Sequence, residues 1–375
     1  MPTGARPAIP KYRKLFDELY DDITSGRRRT GERLPSEAEL VKTFGASRIT
    51  VGRALRDLQR EGLVDRRPGS GTYVRTQPRP RDAAALTFGL LAPDVDRTAV
   101  LGEMCRALSG ASSMRGHAVL WGTVSGEQGI EAASWDMCQQ QIARGVAGAF
   151  FAPLEHTPAK DAVNRRIARA FDDAGIPVVL LDRPVEPYGR YEPHDVVGID
   201  NRRAGFRITS HLLAAGATRV GFVGMSDAAA TVDARLAGYR EALHVRGALV
   251  HPQLVFCFRS EDNAELVAFV QNARPDALVC ANDRVAARVM HALLAAGVGI
   301  PGDVRLAGID DAAFAALLPV PLTTLRQPVR EIGVAAMAAM LNRLAHPDLP
   351  PRDIFLHTTL VVRQSCGTVG PQAQD

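Results

Sequence analysis

Polar side chains recur directly after short apolar runs along most of this chain: Asp94, Asp182-Arg183, Asp200-Asn201, Asn282-Asp283 and Asp310-Asp311. Carboxylates, an amide and a guanidinium gathered at strand ends can hydrogen-bond several hydroxyls in fixed directions, as a sugar or similar polyol requires. Any such Asp or Asn can instead cap a helix. Asn201, directly before a helix, and Asp311 are read as caps. A second group stands near the front, where Ser47-Arg48-Ile49-Thr50 opens an amphipathic stretch that continues through Arg53, Arg56 and Arg60. An Arg there can grip guanine O6 and N7, and a Thr can touch a base edge or a phosphate.

Other signals carry no chemistry. Gly297, Gly299 and Gly302 satisfy GxGxxG, but a helix precedes and a strand follows, the reverse of a dinucleotide fingerprint. They are read as a helix cap and turn. No GxxxxGK[ST] or HExxH occurs, and the nine His are dispersed. Five cysteines (Cys105, Cys138, Cys257, Cys280, Cys366) show no CxxC spacing, so neither a disulfide framework nor a zinc site is expected. Asp310 and Asp311 are adjacent on a strand end and diverge. No set of nucleophile, base and oxyanion donor can be assembled. No cofactor, no metal and no enzymatic activity are expected.

The elements that hold these groups come in two styles. Residues 1–82 carry 18 Lys+Arg against 11 Asp+Glu, a net +7, whereas the remainder is −3. A basic head on a mildly acidic body points to a polyanion partner for the head. Tyr12, Leu15, Phe16, Leu19, Tyr20 and Ile23 fall at helical spacing. Pro35-Ser36 starts a second helix, with Ser36 and Glu39 spaced as a capping box and Leu40, Val41 and Phe44 facing inward. A third helix opens at Ser47, with Val51, Leu55 and Leu58 inside and Arg48, Ile49, Gly52, Arg53, Arg56 and Arg60 outward. Two short helices joined by a tight turn predict a helix-turn-helix. The stretch from Leu63 to Val74, turning at Pro68-Gly69-Ser70-Gly71, predicts a basic β-hairpin, or wing.

The segment between Arg75 and Leu86, with two prolines and small residues, reads as a linker. Beyond it, apolar strand runs alternate with helical patterns: 88–92, 118–124, 148–152, 178–182, 196–199, 219–224, 254–258, 277–281 and 304–309, with helices at 100–114, 159–174, 203–215, 235–246 and 284–296. Repeated βα units with apolar strands predict parallel sheets covered on both faces, either as one barrel or as two doubly wound sheets.

Two resemblances sharpen this. GERLPSEAEL, SRITVGRALRDLQREGLV and RRPGSGTYV make residues 9–75 resemble the winged helix-turn-helix of the gluconate-repressor (GntR) family. The resemblance implies that Ser36, Ser47, Arg48, Thr50, Arg67 and Gly69 contact DNA. Gly52 stands where an Arg commonly follows the Thr-Val pair, and Arg53 beside it is the candidate to take that part. FGLLAPD, IPVVLLDRP, VVGIDN, HLLAAGATRVGFVG, ALVCANDRVAARVMHAL and PVPLTTLRQPV make residues 86–365 resemble the effector-binding body of the lactose/galactose-repressor (LacI/GalR) family, related to periplasmic sugar-binding proteins. That resemblance implies two lobes joined by three crossovers, with a ligand between them. Asp182 and Arg183 would face it from the first lobe, Arg235, Asn282 and Asp310 from the second, and Gln327 from a crossover; Asp94 is a further candidate. The loop DVDRTAV lacks the aromatic that often stacks on the ligand in that family. The pairing of head and body resembles the arabinose-repressor type of regulator.

The expected architecture is α/β. A winged helix-turn-helix (1–77) and linker (78–85) precede a two-lobed, periplasmic-binding-protein-like domain of doubly wound parallel sheets (86–365), with a tail at 366–375. Lobe one is expected at 86–197 and 325–345, and lobe two at 198–322 and 350–365. The resemblances imply a cytoplasmic, homodimeric transcription regulator, a repressor of carbohydrate-metabolism genes that binds an operator in double-stranded DNA and is released by a sugar-like effector. A nucleoside or purine effector is the alternative. A sugar-binding transport component would explain the body but not the basic head. No run of about 18 apolar residues exists, so no membrane span is expected.

Overall fold

The structure is a computed structural model describing residues 11–24, 27–28, 31–60, 63–67, 70–74, 85–93, 95, 100–122, 129–226, 228–248, 250–258 and 263–368. The chain forms two compact units, Met1–Ala84 and Ala85–Asp375. Nearly all of the expected linker lies outside the described residues, as do Gly69 and Asp94.

In the first unit, helices α1 (Lys11–Thr24), α2 (Glu37–Phe44) and α3 (Arg48–Arg60) precede an antiparallel hairpin, β1 (Val64–Arg67) and β2 (Gly71–Val74). Leu15, Leu19, Leu40, Val51, Ala54, Leu55 and Leu58 meet in one core, which Leu34, Val64 and Val74 extend beneath the hairpin. The loop before α2 joins the hairpin: Leu34 N donates to Thr72 O at 2.8 Å and Gly31 N to Val74 O at 2.9 Å. Ser36 caps α2 with both arms of the capping box, to and from Glu39. Gly45 ends α2 in the left-handed conformation (φ 57°), which a glycine adopts without a Cβ clash and which turns the chain into α3.

The second unit runs β3 (Thr87–Leu91), α4 (Leu101–Met114), β4 (Ala118–Trp121), α5 (Ile130–Ala143), β5 (Ala149–Phe151), α6 (Lys160–Asp173), β6 (Val178–Leu181) and β7 (Asp195–Ile199). It continues with α7 (Asn201–Ala214), β8 (Val220–Met225), α8 (Ala230–Val245), β9 (Val255–Phe258), α9 (Ala264–Ala273), β10 (Ala277–Cys280), α10 (Asp283–Ala295), β11 (Arg305–Asp310) and β12 (Thr323–Arg326). Helix α11 (Val329–Ala345) and strands β13 (Asp353–Leu356) and β14 (Thr359–Val361) complete it. The described residues form two six-stranded sheets here, β13-β7-β6-β5-β3-β4 and β14-β12-β11-β10-β8-β9. Every neighbouring pair is parallel except β12 and β14. The barrel alternative is thereby excluded. Central strands such as β6 and β10 are buried along their whole length because helices cover both faces.

The chain crosses between lobes three times: from β7 into α7, from β12 into α11, and from β13 to β14. Two expected lobe assignments need correction. The strand 323–326 belongs to the second sheet, so the return to lobe one begins only with α11. The C-terminal stretch divides, with β13 beside β7 in the first sheet and only β14 in the second. The cause is local: Asp195, fully buried at the start of β7, takes hydrogen bonds from Arg352 N and Arg343 Nη2 at 2.8 Å and from Arg352 Nη2 at 2.9 Å. A carboxylate so placed ties 343–352 to the first lobe. The tail also begins later than expected, because Ser365 and Cys366 are fully buried and Ser365 Oγ accepts from Thr323 N at 2.9 Å.

Helices α7 and α8 touch backbone to backbone. A Cβ on Gly205 would lie 2.0 Å from Arg235 O, and one on Gly238 would lie 1.9 Å from Arg202 O. Only glycine permits this approach, and it presses Arg235 of α8 against Asn201 at the start of α7.

Candidate DNA-reading face and effector cleft

The outward face of α3 begins with its cap. Ser47 Oγ accepts from Thr50 N at 3.2 Å and shares a hydrogen bond with Thr50 Oγ1 at 2.8 Å. Two of the expected DNA contacts thus hold the helix start as well. Arg48 is exposed beside them. Arg53 is also exposed, with its guanidinium 5.0 Å from the centre of the Tyr12 ring. Gly52, expected to face outward, is buried. Ser36 is exposed at the start of α2, and Arg67 ends β1 opposite Gly71.

In the second unit, polar groups gather beyond the carboxyl ends of both sheets. Asp182 follows β6 in the left-handed region (φ 68°). Arg183, beside it, is buried and pairs through Nη1 with Glu155 Oε2 at 2.9 Å. From the second lobe, Arg235 donates to Ala281 O at 2.7 Å and to Asn201 Oδ1 at 2.9 Å, and its Nη2 lies 3.9 Å from Asp310 Oδ1. Gln327 Nε2 donates to that same Asp310 oxygen at 2.8 Å.

Charges here cross from lobe to lobe. Burial raises Asp182 above the usual carboxylate range; Arg183 and Arg235 oppose this and Glu155 adds to it. Burial likewise raises Asp310, against Arg235 and the Gln327 hydrogen bond, with Asp283 and Asp182 adding to the rise. Burial works against Glu155 too, but Arg183, His156 and Arg235 hold it below the usual range. Buried polar atoms at this mouth without a hydrogen-bond partner include Asp182 Oδ1, Gln327 Oε1, His156 Nδ1 and Thr157 Oγ1. Buried polar atoms are normally satisfied, so such a cluster is a candidate place for a polar ligand.

The structure brings together five of the seven expected ligand residues: Asp182, Arg183, Arg235, Asp310 and Gln327. Asn282 acts first as a cap, its Oδ1 accepting from Val285 N at 2.8 Å. The two expected caps are corrected. Asp200 caps α7, accepting from Arg203 N at 2.9 Å, and Asn201 instead faces Arg235. Asp311 caps no helix; it holds Arg326 and Arg363 at 2.6 Å each. Glu155 escaped the sequence reading although it follows the apolar run Ala149–Phe151, the same signal that marked Asp182.

Comparison with known proteins agrees with this division. Residues 11–74 match the profile of bacterial regulatory proteins of the gntR family, and residues 209–366 match that of the periplasmic binding protein-like domain. The chain joins a GntR-type winged helix-turn-helix to a periplasmic-binding-protein-like body. The arabinose metabolism transcriptional repressor of Geobacillus stearothermophilus is 26% identical over 369 residues, spanning 95% of this chain and 98% of the repressor. The HTH-type transcriptional repressor PurR of Aliivibrio salmonicida is 28% identical over 211 residues, 55% of this chain and 62% of that protein. A solved transcriptional regulator CelR–cellobiose complex superposes with a TM-score of 0.64 at 23% identity, over 96% of this chain and 100% of that one. That likeness is one of fold. The arabinose repressor spans both the GntR-type head and the periplasmic-binding-protein-like body in one alignment, so the two parts occur together in a known repressor.

Proposed function

We propose that this protein is an effector-responsive DNA-binding transcriptional regulator, a repressor of sugar-metabolism genes released by a small neutral sugar. The observation that carries the reading is the end-to-end alignment with an arabinose metabolism transcriptional repressor. The cleft supports the ligand class. Gln327 Oε1 can only accept and Asp182 Oδ1 accepts when ionised, and both arginines already face carboxylates. Hydroxyls both donate and accept and so match such a mixed set, whereas a sugar phosphate would bring further negative charge beside Glu155, Asp182 and Asp310.

The protein acts in the cytoplasm as a homodimer on a near-palindromic operator, the two α3 helices about one DNA turn apart. It has no enzymatic role. Arginines of the head set phosphate contacts that weaken with salt. Sugar bound between the lobes favours their closure by its differential affinity for the closed state, and moving a 1:99 population to 99:1 takes about 5.5 kcal/mol. Two sites per dimer share that demand.

Selection of duplexes from a random pool, repeated with arabinose, cellobiose, sugar phosphates and nucleosides, tests the reading. Enrichment of a near-palindrome that a neutral sugar abolishes is the expected result. Release by a nucleoside alone moves the effector to the alternative class, and the absence of any duplex preference overturns the regulator reading.

A further inference from the structure

Ile49 is 82% exposed on the first turn of α3. A large apolar side chain held in water there does nothing for the head, whose core is completed by Val51, Ala54, Leu55 and Leu58 from the other side of the same helix. Its surroundings are polar: Arg48 and Thr50 flank it, and one turn later stand Gly52 and Arg53. Gly52 contributes no side chain, and a Cβ there would meet only Arg56 Nη1 at 3.9 Å. Arg53 is drawn toward Tyr12. Ile49 is therefore an exposed apolar side chain on the outward face of this helix start, on a helix that also exposes Arg48, Arg53 and Arg56.

Duplex DNA offers one matching group. In the major groove each base pair presents hydrogen-bonding atoms, but thymine alone also presents an apolar one, its C5 methyl. A recognition helix enters the groove with its N-terminal residues against base edges. Arginines that neutralise phosphates bring that turn to the bases, and Ile49 loses its exposure to water there. We propose that Ile49 is a specificity-determining residue that reads the C5 methyl of one thymine in each operator half-site. The inference rests on the DNA-binding reading above.

The test uses the full chain and the best duplex recovered by selection, with each thymine replaced in turn by deoxyuridine, which removes only the methyl. One thymine per half-site should then cost about fourfold in affinity, the worth of one buried methyl group. Ile49→Ala should bind the thymine and deoxyuridine duplexes equally while keeping the wild-type melting temperature, since the side chain packs on nothing. Ile49→Val should keep part of the discrimination. The inference is overturned if no thymine position matters by more than twofold, or if Ile49→Ala discriminates as the parent does. It is also overturned if Ile49→Ala leaves DNA binding untouched and abolishes a protein contact instead. Tight duplex binding without methyl sensitivity sinks this inference alone; the absence of duplex binding sinks the regulator reading with it.

Discussion

Replacing Asp182 with Asn separates the stability of the cleft from its affinity. The backbone tolerates the change, because Asp182 sits at φ 68°, a conformation that Asn adopts as readily as Asp. The pKa of the carboxylate is raised by burial, and Oδ1 has no hydrogen-bond partner. An uncompensated buried polar group costs about 1–3 kcal/mol. Asn keeps a polar group in that place, so the substitution removes only the burial penalty of the charge and should raise the melting temperature of the body, at roughly 2–4 °C per kcal/mol for domains slightly smaller than this one. The sugar loses a charge-assisted hydrogen bond worth about 1.5–3 kcal/mol, or roughly 10–150-fold in affinity. The pH dependence has a definite sign. A carboxylate whose folded pKa lies above its unfolded value binds more protons when folded. Its stabilising contribution is thus present at low pH and is lost as pH rises from the unfolded value through the folded one. Asp182→Asn should remove that decline. Differential scanning fluorimetry from pH 4 to 8 and calorimetric titration with the active sugar give both numbers. A lower melting temperature at neutral pH, or unchanged sugar affinity, would refute the placement of Asp182 as a buried, ligand-facing acceptor.

Other substitutions probe separate parts of the molecule. Arg48→Ala should lower operator affinity about tenfold or more and reduce the salt dependence or the base preference at one position, read by gel shift at two ionic strengths. His194 is opposed by burial but raised to about 9 by hydrogen bonds to Asp172 and Glu192. Its stabilising effect is complete below its unfolded pKa of about 6.5 and is lost as pH rises through about 9. His194→Gln should flatten the melting profile over that window. Gly238→Ala would drive a methyl into Arg202 O, 1.9 Å away, and should destabilise the body by several kcal/mol, on the order of 1–3 for overpacking alone. An unchanged melting temperature would contradict the close α7–α8 approach.

Much of this was legible in the chain itself. The head could be read almost residue by residue because its determinants are local: the Ser36–Glu39 capping box, the left-handed Gly45 and the inward Val51, Leu55 and Leu58 all act within a turn or two. The apolar strand runs could be read for the same reason, and so could Asp182, Arg183 and Asp310 as polar groups at strand ends, whereas Arg235 and Gln327 were expected only from the family resemblance. What each then touches was not legible. Asn201 looked like a cap by its position, but Asp200 takes the cap, and the glycine contact of α7 with α8 brings Arg235, 34 residues away, onto the amide. Glu155 joined the site only because β5 lies beside β6, which sets it against Arg183. Which sheet β12 and β13 enter was likewise undecided by their composition, since an apolar strand fits the edge of either lobe. The buried Asp195 settled it for β13 by holding Arg343 and Arg352 across roughly 150 residues of sequence, a partnership that exists only once the chain has returned to the first lobe.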